Sequence, residues 1–219
     1  MTREKKYRGY VFMKYNLFDS YIWKSKVKYN DKEKLIETLS KDFYKNKNKF
    51  TADWDCFVYS SFYNLEQNNI PEDLLNIIEK KITEYLNDCP EGLQIKGTYI
   101  LSEIWYNIYE KNYFQEPHNH EDNFFSGCYY LKFNKNIHHQ TTFYNPNYDL
   151  DFKKLKHNPY FCFEPDCEED DLIIFPSGLK HGTKGLKDEN SNELRITISF
   201  NIRNNDLCFK NEKSGVSYS

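Results

Sequence analysis

Residues 194–203, LRITISFNIR, alternate apolar and polar side chains without a break after Leu194. Successive side chains of a strand point to opposite faces. Ile196, Ile198, Phe200 and Ile202 therefore share one face, and Arg195, Thr197, Ser199 and Asn201 share the other. In a half-exposed strand the polar face meets water. In a small barrel backed by helices, the apolar face can instead pack outward beneath them and leave the polar face to line an internal site.

The helical patterns all lie upstream. NDKEKLIETLSKDFYKN opens on a capping-type Asn30 or Asp31 and carries Leu35, Leu39 and Phe43 at helical spacing. Behind Pro71, the residues Leu74, Leu75, Ile78, Ile82, Tyr85 and Leu86 form one apolar stripe that ends before Cys89-Pro90. From residue 94 the period becomes two. Strands are expected over 94–101 continuing through 103–109, then over 125–133, 141–144, 171–175, 181–184 and 194–203. An earlier strand is expected within 17–28, LFDSYIWKSKVK. The segment 145–170 reads as a long loop over the strands, and the last dozen residues as a disordered tail. Helices followed by short strands argue for a mainly β, antiparallel core with N-terminal helices against one face. At 219 residues the chain fits one domain, with helical support over about 30–90 and a strand core over about 94–203.

Composition narrows the partners. Aromatic residues reach 18%, with 19 Tyr and 17 Phe, so enough apolar area exists for a substantial core. The net charge is −3 and the basic residues are scattered, which leaves no footprint for a nucleic-acid backbone. No stretch has signal-peptide or membrane-spanning length and apolarity. The six cysteines are dispersed with no CxxC pair, so free thiols in a reducing cytoplasm are expected, Cys162 and Cys167 among them as buried thiols.

The stretch EPHNHEDNFFSGCYYL, residues 116–131, sets His118 and His120 two apart, which on a strand points both imidazoles the same way. Downstream, DLIIFPSGLKHGTKG ends an apolar strand in a Pro-Ser-Gly turn and then presents His181. That histidine returns to the first two only if the sheet closes on itself. Arg195 follows 14 residues later, within reach of an anion at the same place. On 126–133, Ser126, Cys128, Tyr130 and Lys132 share a face opposite Tyr129, Leu131 and Phe133. Asn107 faces with Trp105 and Tyr109. His138, His139 and His157 fall in loops and read as solvent-exposed.

H-x-H, then S-G-x-Y-Y, then F-P-S with a histidine five residues after its proline, then R-I-x-I-S-F-N, resembles the iron(II)- and 2-oxoglutarate-dependent oxygenase superfamily. The pattern is most similar to a bacterial and phage branch with H-x-H in place of H-x-D. It extends over roughly residues 103–203, and NLFDSYIWKSKV is similar to the branch's opening strand. The resemblance implies a double-stranded β-helix, a jelly-roll or cupin-like core, with a metal at its open end. It implies Fe(II), O2 and 2-oxoglutarate as cofactors, and hydroxylation of a small-molecule or peptide substrate. His118 would be the first metal ligand and His181 the distal one. Arg195 with Thr197 matches the Arg-x-Ser/Thr pair that grips the distal carboxylate of 2-oxoglutarate, a task suited to a guanidinium fork. Tyr130 and Asn107 are further candidates for contact with this cosubstrate. Selectivity would come from the loops 110–117 and 145–170.

Position 120 departs from the superfamily's usual carboxylate and leaves two ligand sets open. One is His118, His120 and His181. The other shifts the register, since His120-Glu121-Asp122 also reads H-x-D, and takes His120, Asp122 and His181. Two other functions also fit the pattern: a jelly-roll binding module with a structural ion, and a cupin-type three-histidine dioxygenase that does not use 2-oxoglutarate.

Overall fold

A computed structural model describes residues 3–7, 10–14, 20–47, 56–63, 69–88, 97–120, 122–146, 162–188 and 190–205. Its strands form two sheets and a hairpin, and every described pairing is antiparallel. The six-stranded sheet runs in the order Trp23–Lys26 (β3), Asp171–Pro176 (β11), Phe125–Lys132 (β8), Arg195–Asn204 (β13), Tyr99–Tyr109 (β6) and Tyr59–Ser60 (β5). The five-stranded sheet runs Cys162–Phe163 (β10), Thr141–Tyr144 (β9), His181–Thr183 (β12), Phe114–His118 (β7) and Cys56–Phe57 (β4). Arg3–Tyr7 (β1) pairs with Tyr10–Lys14 (β2). From β6 onward the chain steps back and forth between the two large sheets: β6, β8, β11 and β13 lie in one, β7, β9, β10 and β12 in the other. That alternation is a double-stranded β-helix.

The alternation in β13 resolves inside out. Ile196, Ile198, Phe200 and Ile202 are completely buried in a cluster on the outer face of the six-stranded sheet. Helix Lys32–Asn46 (α1) adds Leu35, Leu39 and Phe43 to that cluster, and helix Glu72–Asp88 (α2) adds Leu74, Ile78, Ile82 and Tyr85. A second cluster, with Cys128, Tyr130, Phe143, Ile173 and Phe175, fills the space between the sheets. Arg195, Thr197 and Asn201 are buried on that inner side although they are polar. Gly127 of β8 is forced by the same packing, because a Cβ there would overlap the ring of Phe200.

Both helices form where their stripes predict. Asp31 stands at the start of α1, but its carboxylate makes no capping hydrogen bond, and only its carbonyl accepts from Leu35 N, at 3.0 Å. At α2, Pro71 O accepts from Leu74 N and Leu75 N, and Glu72 and Asp73 occupy the first turn, where acids suit the helix dipole. No described helix is long and apolar enough to cross a membrane.

Several expectations are corrected. The expected strand in 17–28 is short, Trp23–Lys26, with 15–19 outside the described residues. Residues 99–109 form one strand, with Ser102 as an extra residue between the pairs Glu103↔Asn201 and Leu101↔Ile202. The segment 110–117 is not all loop, because Phe114–His118 pairs with both β12 and β4. The segment 145–170 contains β10, which pairs with β9, while 147–161, the last dozen residues and His157 lie outside the described residues. Phe133 follows the end of β8 and turns inward onto Tyr130, at 4.8 Å between rings. Cys167 is buried as expected, but Cys162 is only partly so.

His138 is the largest reversal: it is fully buried rather than exposed. Nδ1 accepts from Asn134 N at 3.0 Å and Nε2 faces Glu193 O at 3.2 Å, so the neutral Nε2–H ring satisfies both partners. A second proton would set Nδ1–H against an amide N–H. Burial therefore lowers its pKa to about 4, with Arg195, Lys132 and Lys187 pushing the same way against the Glu193 bond. The unfolded chain takes up that proton near pH 6.5, so stability is full above this value and is lost as pH falls toward 4. Between pH 7 and pH 5, wild type should lose about 2 kcal/mol more unfolding free energy in urea than His138→Asn does. Parallel pH profiles for the two proteins would show that the ring carries no such linkage.

Candidate metal centre

Closure of the sheet brings the three histidines together. His181 at the start of β12 pairs directly across from His118 at the end of β7. His120, just past β7, is fixed by its backbone N–H donating to Ser177 O at 2.9 Å. The ring centroids lie 4.5 Å (His118–His181), 5.2 Å (His118–His120) and 5.2 Å (His120–His181) apart. One nitrogen from each ring falls within 4.8 Å of the other two, close enough to hold a metal ion. Asp122, whose register would make an H-x-D set, is exposed and outside this group.

The ring tautomers suit a metal. His118 Nδ1 lies 2.7 Å from Glu116 O, and His181 Nδ1 lies 2.9 Å from Leu179 O. A carbonyl only accepts, so each Nδ1 carries the hydrogen and each Nε2 keeps its lone pair. Burial lowers all three pKa values, His120 to about 4 and His181 well below the usual histidine range, and the neighbouring imidazoles add to the shift in these two. At neutral pH no proton has to leave before a metal binds.

A narrow cavity runs from this group into the barrel. His118, His120 and His181 line one end, and Arg195, Thr197, Asn107, Cys128 and Thr141 line the rest. Arg195 is 2% exposed, yet Nε and Nη1 have no hydrogen-bond partner and Nη2 reaches only Thr141 Oγ1, at 3.5 Å. Around it stand Tyr109, Tyr130 and Phe133, with ring centroids 4.8, 5.5 and 5.8 Å from Cζ. Asn107 donates to Ser199 Oγ at 3.1 Å, and its buried Oδ1 has no partner. The Tyr130 hydroxyl, by contrast, is engaged by Thr141, donating to Oγ1 at 2.9 Å and accepting from N at 3.1 Å. Thus the cavity offers an unpaired cation at one end and three imidazole lone pairs at the other.

A wider cleft of about 450 Å³ opens outside the histidines. Phe62, Tyr63 and Trp105 wall it, with Phe62 edge-on to Trp105 at 5.1 Å, and Glu103, Asp122 and Arg203 add charge. Gln115 comes from the 110–117 segment expected to govern selectivity, whereas none of the described residues of 145–170 lines this cleft. Sequence reasoning missed Trp105 as a partner of His120; the rings stack at 5.8 Å and 18°. It missed Thr141 beside Arg195 as well. The period-two face shared by Trp105 and Asn107 was the available signal for the first, and Thr141 had none.

Residues 103–201 match the family described as "Putative 2OG-Fe(II) oxygenase". Over those residues the chain is similar to this family. The match spans every residue of the histidine group and Arg195. No curated protein matches the chain. Among solved structures, the chain is similar to a prolyl hydroxylase from Trichoplax adhaerens in complex with a hypoxia inducible factor oxygen degradation domain peptide fragment, at 11% identity and TM-score 0.57, covering 90% of this chain and 87% of that one. It is similar to HygX from Streptomyces hygroscopicus with nickel, 2-oxoglutarate and hygromycin B bound, at 9% identity and TM-score 0.53, covering 84% and 83%. A viral collagen prolyl hydroxylase from Paramecium Bursaria Chlorella virus-1, in its 2OG complex, gives 16% identity and TM-score 0.51, covering 84% and 96%. Their common fold is the double-stranded β-helix described above.

The two ligand sets separate by titration of the metal-free protein with Co(II). Wild type should bind one equivalent, and His181→Ala should weaken binding by more than about 100-fold, the upper range for losing even an outer-shell partner. Asp122→Ala should leave it unchanged. If instead Asp122→Ala abolished binding and His118→Ala were silent, the shifted register would be the correct one.

Proposed function

We propose that the chain is a non-haem iron(II) dioxygenase that couples 2-oxoglutarate decarboxylation to hydroxylation of a small-molecule or peptide substrate. His118, His120 and His181 would hold the iron, since one nitrogen of each lies within 4.8 Å of the others and the bonds to Glu116 O and Leu179 O leave the Nε2 lone pairs of His118 and His181 available. With O2 and 2-oxoglutarate, bound iron supplies the oxidation of an unactivated C–H bond, the cosubstrate leaving as succinate and CO2. The single observation that carries this reading is Arg195. A buried guanidinium with two unpaired nitrogens has no work in a structural metal site, but it fits the far carboxylate of a dicarboxylic acid whose other end lies toward the histidines.

The chain's own residues would then divide the work. Arg195 fixes the cosubstrate's length axis, and Thr197, on the same face of β13, lines its course. The free Oδ1 of Asn107 leaves a polar atom beside that course. Tyr130 is held by Thr141 and serves as a wall behind the guanidinium rather than as a hydrogen-bond donor into the cavity. Around the guanidinium the rings of Tyr109, Tyr130 and Phe133 lower the local polarity, which strengthens the charge-assisted contacts. The substrate would enter by the outer cleft, against Trp105 and Phe62. We read the whole chain, residues 1–219, as one such domain working in the cytoplasm, where the free thiols of Cys128, Cys162 and Cys167 persist.

The three-histidine set also fits a cupin-type dioxygenase that needs no 2-oxoglutarate, and Arg195 is the test between the two. Metal-loaded wild type should bind 2-oxoglutarate and slowly decarboxylate it without substrate. Arg195→Ala removes a charge-assisted, bidentate contact worth roughly 1.5–3 kcal/mol, so affinity should fall about 10- to 150-fold. Arg195→Lys should recover part, since an ammonium lacks the planar fork, and both variants should keep their full iron content. Should wild type fail to bind 2-oxoglutarate, or Arg195→Ala bind it equally well, the cupin and binding-module readings move ahead.

A further inference from the structure

Arg195 lies between two tyrosines that are anchored in the same way. β13 runs between β6 and β8 in the six-stranded sheet, and β12 runs between β7 and β9 in the five-stranded sheet. Tyr109, directly across from Arg195 on β6, donates its hydroxyl to Gln115 Oε1 on β7 at 2.8 Å. Tyr130, on β8, donates to Thr141 Oγ1 on β9 at 2.9 Å. Each tyrosine therefore crosses from one sheet to the other, one on either side of β13. The guanidinium Cζ sits over both rings, 4.8 and 5.5 Å from their centroids.

The setting of Arg195 indicates what these two struts accomplish. Its Nε and Nη1 are unpaired donors, and the Oδ1 of Asn107 is an unpaired acceptor. Both residues are buried and line the same cavity, yet no hydrogen bond joins these atoms. A buried donor left open costs stability, so a guanidinium free to turn would close on an acceptor. Gln115 is suited to hold one strut, because its backbone position is paired on both sides, with Thr183 of β12 and with Cys56 of β4. We propose that Gln115 is a positioning residue for Arg195, acting through the hydroxyl of Tyr109. It fixes the Tyr109 ring, and with the Tyr130–Thr141 strut on the other side it keeps the guanidinium fork open toward the cavity. The role is the same whichever way the Gln115 amide is turned, since a phenol hydroxyl both donates and accepts. Gln115 also lines the outer cleft, so the grip on the cosubstrate is braced by a wall that the cleft shares.

The role given to Gln115 rests on the proposed binding of 2-oxoglutarate by Arg195, and one part of its test does not. In the metal-free protein, 15N NMR should show one sharp, slowly exchanging Nε–H signal for Arg195. Tyr109→Phe keeps the ring and loses the hydroxyl; Gln115→Leu keeps the hydroxyl and loses its partner. Both should broaden that signal and speed its exchange, whereas Gln115→Glu, which still accepts from Tyr109, should keep it sharp. In the Co(II)-loaded protein, calorimetry should show 2-oxoglutarate bound about 2- to 12-fold more weakly by Tyr109→Phe and by Gln115→Leu, the span of one neutral hydrogen bond. The double variant should bind no more weakly than either single one, because both changes remove the same bond. Losses that add in the double variant would overturn the proposal, as would a wild-type signal and affinity in Gln115→Leu. A lower thermal midpoint with signal and affinity untouched would mark the contact as structural alone and overturn it equally. If wild type bound no 2-oxoglutarate, the cosubstrate reading would fall while the Arg195 signal still decided what braces the guanidinium.

Discussion

His181 faces His118 across the antiparallel seam between β12 and β7, and the placing of every other group in the site follows from that pairing. The two histidines are 63 positions apart in sequence and come from separate turns of the β-helix. Only the closure of the five-stranded sheet sets them opposite each other. The seam is also tight: Gly182, between His181 and Thr183, lies at an irregularity in the pairing, and a Cβ there would come within 2.8 Å of Gln115 O. A side chain at this point would push β12 off β7 and open the histidine group.

The second constraint is the charge of Arg195. A guanidinium buried with two unpaired nitrogens is destabilising on its own, and the three rings about it return only about 0.5–2 kcal/mol each. The folded chain tolerates this because its outer cluster is large and apolar, with β13 contributing to both sides at once. Such a site is stabilised by whatever anion fills it, by RT ln(1 + [L]/Kd). Stability and ligand binding are therefore coupled through one residue. Under the proposed function, the residue whose burial costs the fold stability would also give the cavity a preference for an acid.

How much of this was legible in the sequence depends on what fixed each feature. The faces of β13, the two helices and the strands from 125 onward follow from periodicity, because one face of each is buried and the other is constrained in turn. The strand Phe114–His118 reads FQEPH and has no periodic signal; it forms because β12 needs a partner, not because its own side chains favour a sheet. His138 sits in the polar run NKNIHHQ, and its burial comes from Glu193 and Phe133, neither of which is within its local pattern beyond the turn itself. The cage around Arg195 draws on β6, β8 and the residue after β8, so no window of sequence contains it. The Glu103–Asn201 contact depends on the extra residue at Ser102, and a bulge of one residue in TYILSEIWYNIY leaves no mark in the alternation that predicts the strand.

Replacement of a carboxylate by His120 is thus not a local exchange. The imidazole stacks on Trp105 at 18° and on His181 at 16°, so its neighbours are one cleft residue and one histidine of the same group. An aspartate is too short and has no face to offer either ring. Trp105 on one side and His181 on the other therefore favour a flat ring at position 120 and give it a reason to hold one plane.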